Sequence, residues 1–162
     1  MVDKVINFFR SIPFIILLAA LIPLTRFIMG TALGVKGAII PLVFGTVPFF
    51  TRQIESALLE IDGGLIEAAQ SMGNSPVQIV TRVYLREGIP SIVRATTITF
   101  ISLVGLTAMA GAVGAGGLGD FAIRYGHNLG QQDVTIVTVI ILLITVNIIQ
   151  GIGSAIIKKT TH

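Results

Sequence analysis

Ala95-Thr-Thr-Ile-Thr-Phe-Ile-Ser-Leu-Val-Gly-Leu-Thr-Ala-Met-Ala-Gly-Ala-Val-Gly-Ala-Gly-Gly-Leu118 runs for 24 residues without a formal charge. As a helix rising ~1.5 Å per residue it would reach ~36 Å, more than the ~30 Å hydrocarbon core of a bilayer. Val134 to Ile157 is a second uncharged run of 24 residues. Two earlier runs of 15 residues each are interrupted: Ser11 to Thr25 carries Pro13 and Pro23, and Gly37 to Thr51 carries Pro41, Gly45 and Pro48. They need length from their flanks, with Arg26, Lys36 and Arg52 reaching the interfaces along their aliphatic stems. Pro and Gly are accepted in membrane helices where neighbours satisfy the freed backbone groups. The pattern predicts an all-α polytopic membrane protein with about four transmembrane helices, residues 1–162 forming one transmembrane domain.

Composition agrees. Of the 162 residues 53% are apolar or aromatic and 12% charged, with a mean hydropathy of +0.91. A soluble domain carries about 25% charged residues, so a soluble enzyme and a disordered chain are both excluded. The net charge of +3 is too small and scattered for a nucleic-acid surface. There is no cysteine, hence no disulfide framework. The N-terminal Met1-Val-Asp-Lys lacks the short apolar core and small-residue cleavage site of a signal peptide.

Orientation follows the Lys and Arg bias. With four crossings, one side collects Lys4, Arg10, Arg52, Arg82, Arg86, Arg94, Lys158 and Lys159, and the other Arg26, Lys36 and Arg124. Eight against three predicts that both termini and the central loop are cytoplasmic.

That loop, Arg52 to Arg94, holds five of the eight acidic residues and alone reads like a soluble element. Asp62-Gly63-Gly64 breaks one helix and caps the next, Leu65 to Met72; Gly73 suits the left-handed position that ends it. Ser75-Pro76-Val77-Gln78 then has the N-cap, the first-turn proline and the third-position amide of a capping box. The second helix runs to about Leu85, followed by Gly88 and Pro90. Each helix has an apolar stripe: Leu65, Ile66, Ala69 and Met72 on one, Val77, Val80 and Tyr84 on the other. Such a hairpin either rests on the bilayer surface or docks a partner. The small residues Ala68, Ala69 and Gly73, which let another backbone approach closely, point to docking.

Glu67-Ala68-Ala69, then Gly73, then Val83-Tyr84-Leu85 resembles the EAA loop of ABC importer permeases. The chain departs from that pattern at Arg86, where the family has Pro, and Pro90 follows four residues later. Phe9-Arg-Ser-Ile-Pro-Phe14 and Gly111-Ala-Val-Gly-Ala-Gly-Gly-Leu-Gly119 are similar to the methionine-importer permeases within that group. The resemblance implies a type I ABC importer permease fold, with residues 62–88 as the loop that seats on an ATP-binding subunit. It assigns the coupling contact to Glu67, Ala68, Ala69, Gly73, Ser75, Pro76, Val83 and Leu85. It also implies a second copy of the chain, a substrate-binding protein at the outer face near Gly111 to Arg124, surrounding lipid, and a bacterial inner-membrane location. ATP and Mg would be bound in the partner subunit, with no cofactor, metal or catalytic residue in this chain. The family has five crossings with the N-terminus outside, so the expectation is that its first helix is absent here. A permease for another small solute is the nearest rival.

Other motifs carry less. Gly114-Ala-Gly-Gly-Leu-Gly119 satisfies G-x-G-x-x-G, but a dinucleotide site needs a strand before it and a parallel sheet around it; close helix packing or a re-entrant turn explains it better. Gly117-Leu-Gly-Asp120 matches the Gly-x-Gly-Asp of intramembrane aspartyl proteases, a rival from another class alongside a membrane scaffold, yet no crossing holds a second buried carboxylate to form a dyad. His127 and His162 are isolated and predict no metal site. Thr96, Thr99 and Ser102 in the third crossing and Asn147 in the fourth are the polar groups available to a translocation path; for the threonines, a bond to the carbonyl one turn back is the competing explanation.

Overall fold

The computed structural model describes residues 2–160, leaving the terminal His162 outside the described residues, and these are helical almost throughout. In chain order the helices are α1 (Val2–Ser11), α2 (Phe14–Ala20), α3 (Ile22–Met29), α4 (Gly34–Leu59), α5 (Gly63–Ser71), α6 (Pro76–Ile79), α7 (Leu85–Glu87), α8 (Ile89–Ala110), α9 (Gly117–Phe121) and α10 (Gln132–Thr160). Widened π turns occupy Val80–Tyr84, Gly111–Ala115 and Ala122–His127.

Three of the four expected crossings form helices long and apolar enough to span a bilayer: Gly34–Leu59, Ile89–Ala115 and Gln132–Thr160. The first is broken. Pro23 has no amide hydrogen to donate, and the chain turns at Leu21 (φ −89°, ψ 1°) between α2 and α3. The two pieces nevertheless climb along α4. Arg52 contacts Asp3 and Asn7 of α1, Phe14 lies 3.1 Å from where a Cβ on Gly45 would sit, and Thr25 of α3 shares a cavity wall with Gly37. The N-terminus and the base of the central loop are therefore at one end of the bundle, and the α3–α4 turn is at the other. The N-terminal segment Val2–Ser11 is a helix tied to α4 by Arg52, which also pairs with Glu55.

The third crossing stops short of its expected end. α8 terminates at Ala110, and Gly114 (φ +100°), Gly116 (φ +83°) and Gly117 (φ +79°) take the backbone where side chains are disfavoured, so that α9 folds back on α8. A Cβ on Gly119 would lie 2.7 Å from the Ala108 carbonyl carbon, and one on Gly111 would lie 2.7 Å from the Asp120 amide nitrogen. The glycine cluster is thus a re-entrant turn that leads from helix to helix. No strand exists among the described residues, so the dinucleotide reading fails. α10 returns alongside α8, with Gly153 against the Thr97 side chain. The C-terminal end of α10 lies at the same end of the bundle as the start of α8.

The core is small. Phe14, Leu17, Ala38 and Ala110 are buried together, lined by Leu42, Phe44 and Leu106. Along α10 only Thr138 and Gly153 are buried, while Ile136, Ile140, Leu143, Ile144, Ile148 and Ile152 are all exposed. An apolar exterior of this kind suits hydrocarbon.

Close packing predicts opposite outcomes for two glycines. Gly119→Ala drives a methyl group into the α8 backbone and should cost about 1–3 kcal/mol by overpacking. Gly151→Ala has open space around it and should be neutral or stabilise by up to about 1 kcal/mol. Thermal unfolding of the two variants in detergent, compared with wild type, checks both signs.

Candidate functional site

The helical hairpin between α4 and α8 is built by local rules. The Asp62 carboxylate accepts a bond from the Gly64 amide at 2.6 Å and caps α5. α5 ends at Ser71 with Met72 as its C-cap, and Gly73, at φ +75°, turns the chain. Ser75 and Gln78 then form the reciprocal capping box that starts α6: the Ser75 amide donates to Gln78 Oε1 at 2.8 Å, and the Gln78 amide donates to Ser75 Oγ at 3.4 Å. Pro76 takes the first helical position. The second helix continues as the π turn Val80–Tyr84 and α7, which makes one continuous rod with a widened middle.

One polar contact was not foreseen. The Asn74 side chain donates to the Ala69 carbonyl at 3.0 Å, and the Asn74 backbone amide donates to the same oxygen at 3.2 Å. Two donors on one carbonyl lock the elbow; the sequence signal was the Gly73-Asn74 pair, since Asn readily bonds nearby backbone.

Of the residues that the resemblance assigned to coupling, Ala69 is buried at 3% exposure and Val83 is half-buried. Glu67, Ala68, Gly73, Ser75, Pro76 and Leu85 are exposed. Around them Leu65, Met72, Val77 and Val80 also stand in the open, Met72 at 75% exposure. Of the two apolar stripes, Leu65, Met72, Val77 and Val80 are therefore uncovered, whereas Ala69 is buried and Ile66 and Tyr84 are half-buried; Glu67, Ala68 and Gly73 are exposed beside them in sequence. Among the described residues Glu67 makes no ion pair.

The polar residues of the membrane helices are not brought together. Thr96 donates to the Ile92 carbonyl and Thr99 to the Ala95 carbonyl, each at 2.8 Å, as the local explanation requires. Thr96 edges a crevice between α8 and α10, Thr99 is buried, and Ser102 faces a different cavity, bounded by Phe14, Gly45 and Leu106. Asn147 lies exposed on α10, where its amide nitrogen donates to the Leu143 carbonyl at 2.8 Å.

A bundle of apolar-faced helices, three of them long enough to span a bilayer, with a self-capped hairpin between two of the spans, defines an integral membrane protein. The chain belongs to the family described as binding-protein-dependent transport system inner membrane component, which matches residues 1–161. It is a transmembrane permease subunit of that class, and the fold is that of a type I ABC importer permease. Among curated relatives it is 52% identical over 160 residues to the "Probable D-methionine transport system permease protein MetI" of Vibrio cholerae, covering 98% of this chain and 70% of the relative. It is 46% identical over 155 residues to the "Methionine import system permease protein MetP" of Bacillus subtilis, covering 96% and 70%. A solved chain from the inward-facing "MetNI methionine ABC transporter" superposes with a TM-score of 0.92 at 49% identity, covering 99% of this chain and 74% of that one.

The elbow geometry gives a graded expectation. Gly73→Ala meets no atom within 4 Å, so its cost is purely conformational, about 1–2 kcal/mol for a left-handed residue with a Cβ. Ser75→Ala removes a cap worth about 1 kcal/mol. Amide hydrogen exchange over 73–79 should accelerate in both variants, while exchange in α8 and α10 stays unchanged.

Proposed function

We propose that this chain is the membrane-spanning subunit of an ATP-driven importer of methionine, and that residues 62–88 are the handle on which a separate ATP-binding subunit seats. The substrate assignment rests on what the relatives are named to transport. The handle assignment rests on one observation: the hairpin is rigid internally yet leaves Glu67, Ala68, Gly73 and its apolar neighbours uncovered. Apolar surface with small residues at its centre fits a protein groove, where a close backbone approach gains contact that lipid would not reward.

In this reading ATP and Mg are held by the partner, whose closure pushes on the hairpin. The bundle end that carries the hairpin, the N-terminus and the C-terminus faces the cytoplasm, because that end holds most of the basic residues. A second copy of the chain supplies the other half of the pathway, which accounts for the scattered polar groups: Thr96, Thr99, Ser102 and Asn147 would line a path only in the assembled pair. The opposite end, with the re-entrant Gly111–Gly119 turn, receives substrate from a binding protein. Alternating access then needs two arrangements of rigid helices biased by the nucleotide state of the partner.

The decisive measurement is co-purification of the ATP-binding subunit, followed by uptake of labelled methionine into vesicles that hold the assembled complex and its binding protein. Wild type should retain the subunit and show uptake that excess unlabelled leucine does not suppress. Ala68→Trp adds bulk at an exposed position without straining the backbone, and it should lower retention by about tenfold or more, the equivalent of losing one well-packed contact. Equal retention by Ala68→Trp and wild type would remove the hairpin from the interface.

A further inference from the structure

The hairpin leaves the bundle after Glu60 and returns before Ile89, and its two strands of chain are fastened to each other at that neck. Ser91 Oγ donates to Glu60 Oε2 at 2.7 Å, bridging the last residue after α4 and the first turn of α8 across 31 positions of sequence. Just outside this bond the neck is closed by apolar packing. A Cβ on Gly88 would lie 2.5 Å from the Tyr84 carbonyl oxygen, 3.3 Å from Ile61 Cδ1 and 3.5 Å from Ile92 Cδ1, so Ile61, Ile92 and the end of the second rod meet at this glycine. Neither Glu60 nor Ser91 belongs to the Glu-Ala-Ala pattern.

We infer that Glu60 and Ser91 are positioning residues that clamp the neck of the hairpin, so that a displacement of the hairpin moves α4 and α8 as one body. The inference rests on the proposed docking of an ATP-binding subunit, and concerns what happens to the push once it arrives. The argument is mechanical. The hairpin is stiff within itself, held by the Asp62 cap, the Asn74–Ala69 bonds and the Ser75–Gln78 box. Without the clamp its two attachments are held by backbone alone: the break at Ile61–Asp62 on one side and, on the other, the helical bonds of Gly88, whose amide donates to the Tyr84 carbonyl at 3.0 Å and whose carbonyl accepts from the Ile92 amide at 2.8 Å. A push would then tilt the hairpin about these joints and leave the membrane helices where they are. With Glu60 bonded to Ser91 both attachments are tied, and the motion must pass into the two helices that pack most extensively on each other. Rigid elements with two arrangements transmit displacement; loose joints absorb it.

The test uses the whole complex with its ATP-binding subunit in vesicles and reads ATP hydrolysed per methionine imported. Ser91→Val and Ser91→Thr have the same shape and differ only in the hydroxyl. Ser91→Val should keep the ATP-binding subunit bound and keep hydrolysing ATP, but spend roughly threefold more ATP per methionine, the factor expected from losing one ordinary hydrogen bond. Ser91→Thr and Glu60→Gln, which preserve a donor and an acceptor, should stay close to wild type. Glu60→Ala should match Ser91→Val, and the double variant Glu60→Ala/Ser91→Val should be no worse than either single one, because both break the same bond. An unchanged ratio in Ser91→Val, or an equal loss in Ser91→Thr, overturns the clamp. Loss of the bound subunit in Ser91→Val while wild type retains it also overturns the clamp, since it would place Ser91 in the docking face itself. Failure of wild type to bind any ATP-binding subunit would instead overturn the docking of the hairpin.

Discussion

Close approach of backbones is the constraint on which this bundle depends. In hydrocarbon, lipid tails are as apolar as the helices, so burial of leucine and isoleucine supplies little drive for helix association; contact area and short-range packing must do it. The chain meets this with missing side chains. Gly119 sits directly on the α8 backbone at Ala108, Gly153 receives the Thr97 side chain, and Gly126 receives that of Thr135. The first two contacts lie in opposite halves of α8, so that α9 and α10 are both registered against the same helix. Large apolar residues, by contrast, are spent on the exterior: the isoleucines of α10 face outward, whereas the buried positions of that helix are a threonine and a glycine.

This inversion explains which parts of the fold were legible in the sequence. The all-α membrane class followed from the two uncharged 24-residue runs, and the hairpin followed almost to the residue because caps are local: Asp62, Gly73, Ser75 and Pro76 act on atoms a few positions away. What the sequence concealed was non-local or cumulative. The uncharged run from Ala95 to Leu118 looked like one crossing because hydropathy does not register backbone sign, yet three positive-φ glycines end the helix at Ala110 and turn the chain back. The prolines at 41 and 48 left α4 intact, whereas Pro23 coincides with the break between α2 and α3. No composition rule separates those cases; α4 is packed along α8 and α1, where the freed carbonyls are sheltered. The helix Val2–Ser11 was equally hidden, and the tie that holds it to the bundle comes from Arg52 of a distant helix reaching Asp3 and Asn7.

The candidate site divides the same way. The surface that faces outward from the hairpin could be read from a short pattern, because exposed small residues are unusual on an amphipathic helix. The roles inside that pattern could not. Ala69 is buried and its carbonyl takes both Asn74 bonds at the elbow, while its neighbour Ala68 is exposed. Two adjacent alanines therefore have different surroundings that the pattern does not distinguish. The bond between Glu60 and Ser91 left no trace in spacing, since 31 residues separate its ends and both are ordinary polar residues near helix termini.

The two ends of the bundle are also held by different chemistry, and the difference has a mechanical meaning. At the hairpin end the elements are joined by side-chain bonds: Arg52 to Asp3, Asn7 and Glu55, and Ser91 to Glu60. At the far end the connections are glycine turns, at Gly30, at Gly114 to Gly117 and at Gly130, and Gly119 of α9 lies against the Ala108 backbone. Side-chain bonds tie neighbouring helices without fixing the angle of each peptide, whereas a glycine turn fixes the path of the chain within a few residues. A force delivered at the hairpin therefore meets helices already coupled to one another, and their far ends are gathered by short, tight turns with little slack. The arrangement favours tilting of whole helices over local unravelling. That is the kind of motion a subunit needs if it is to open at one face of a membrane while it closes at the other.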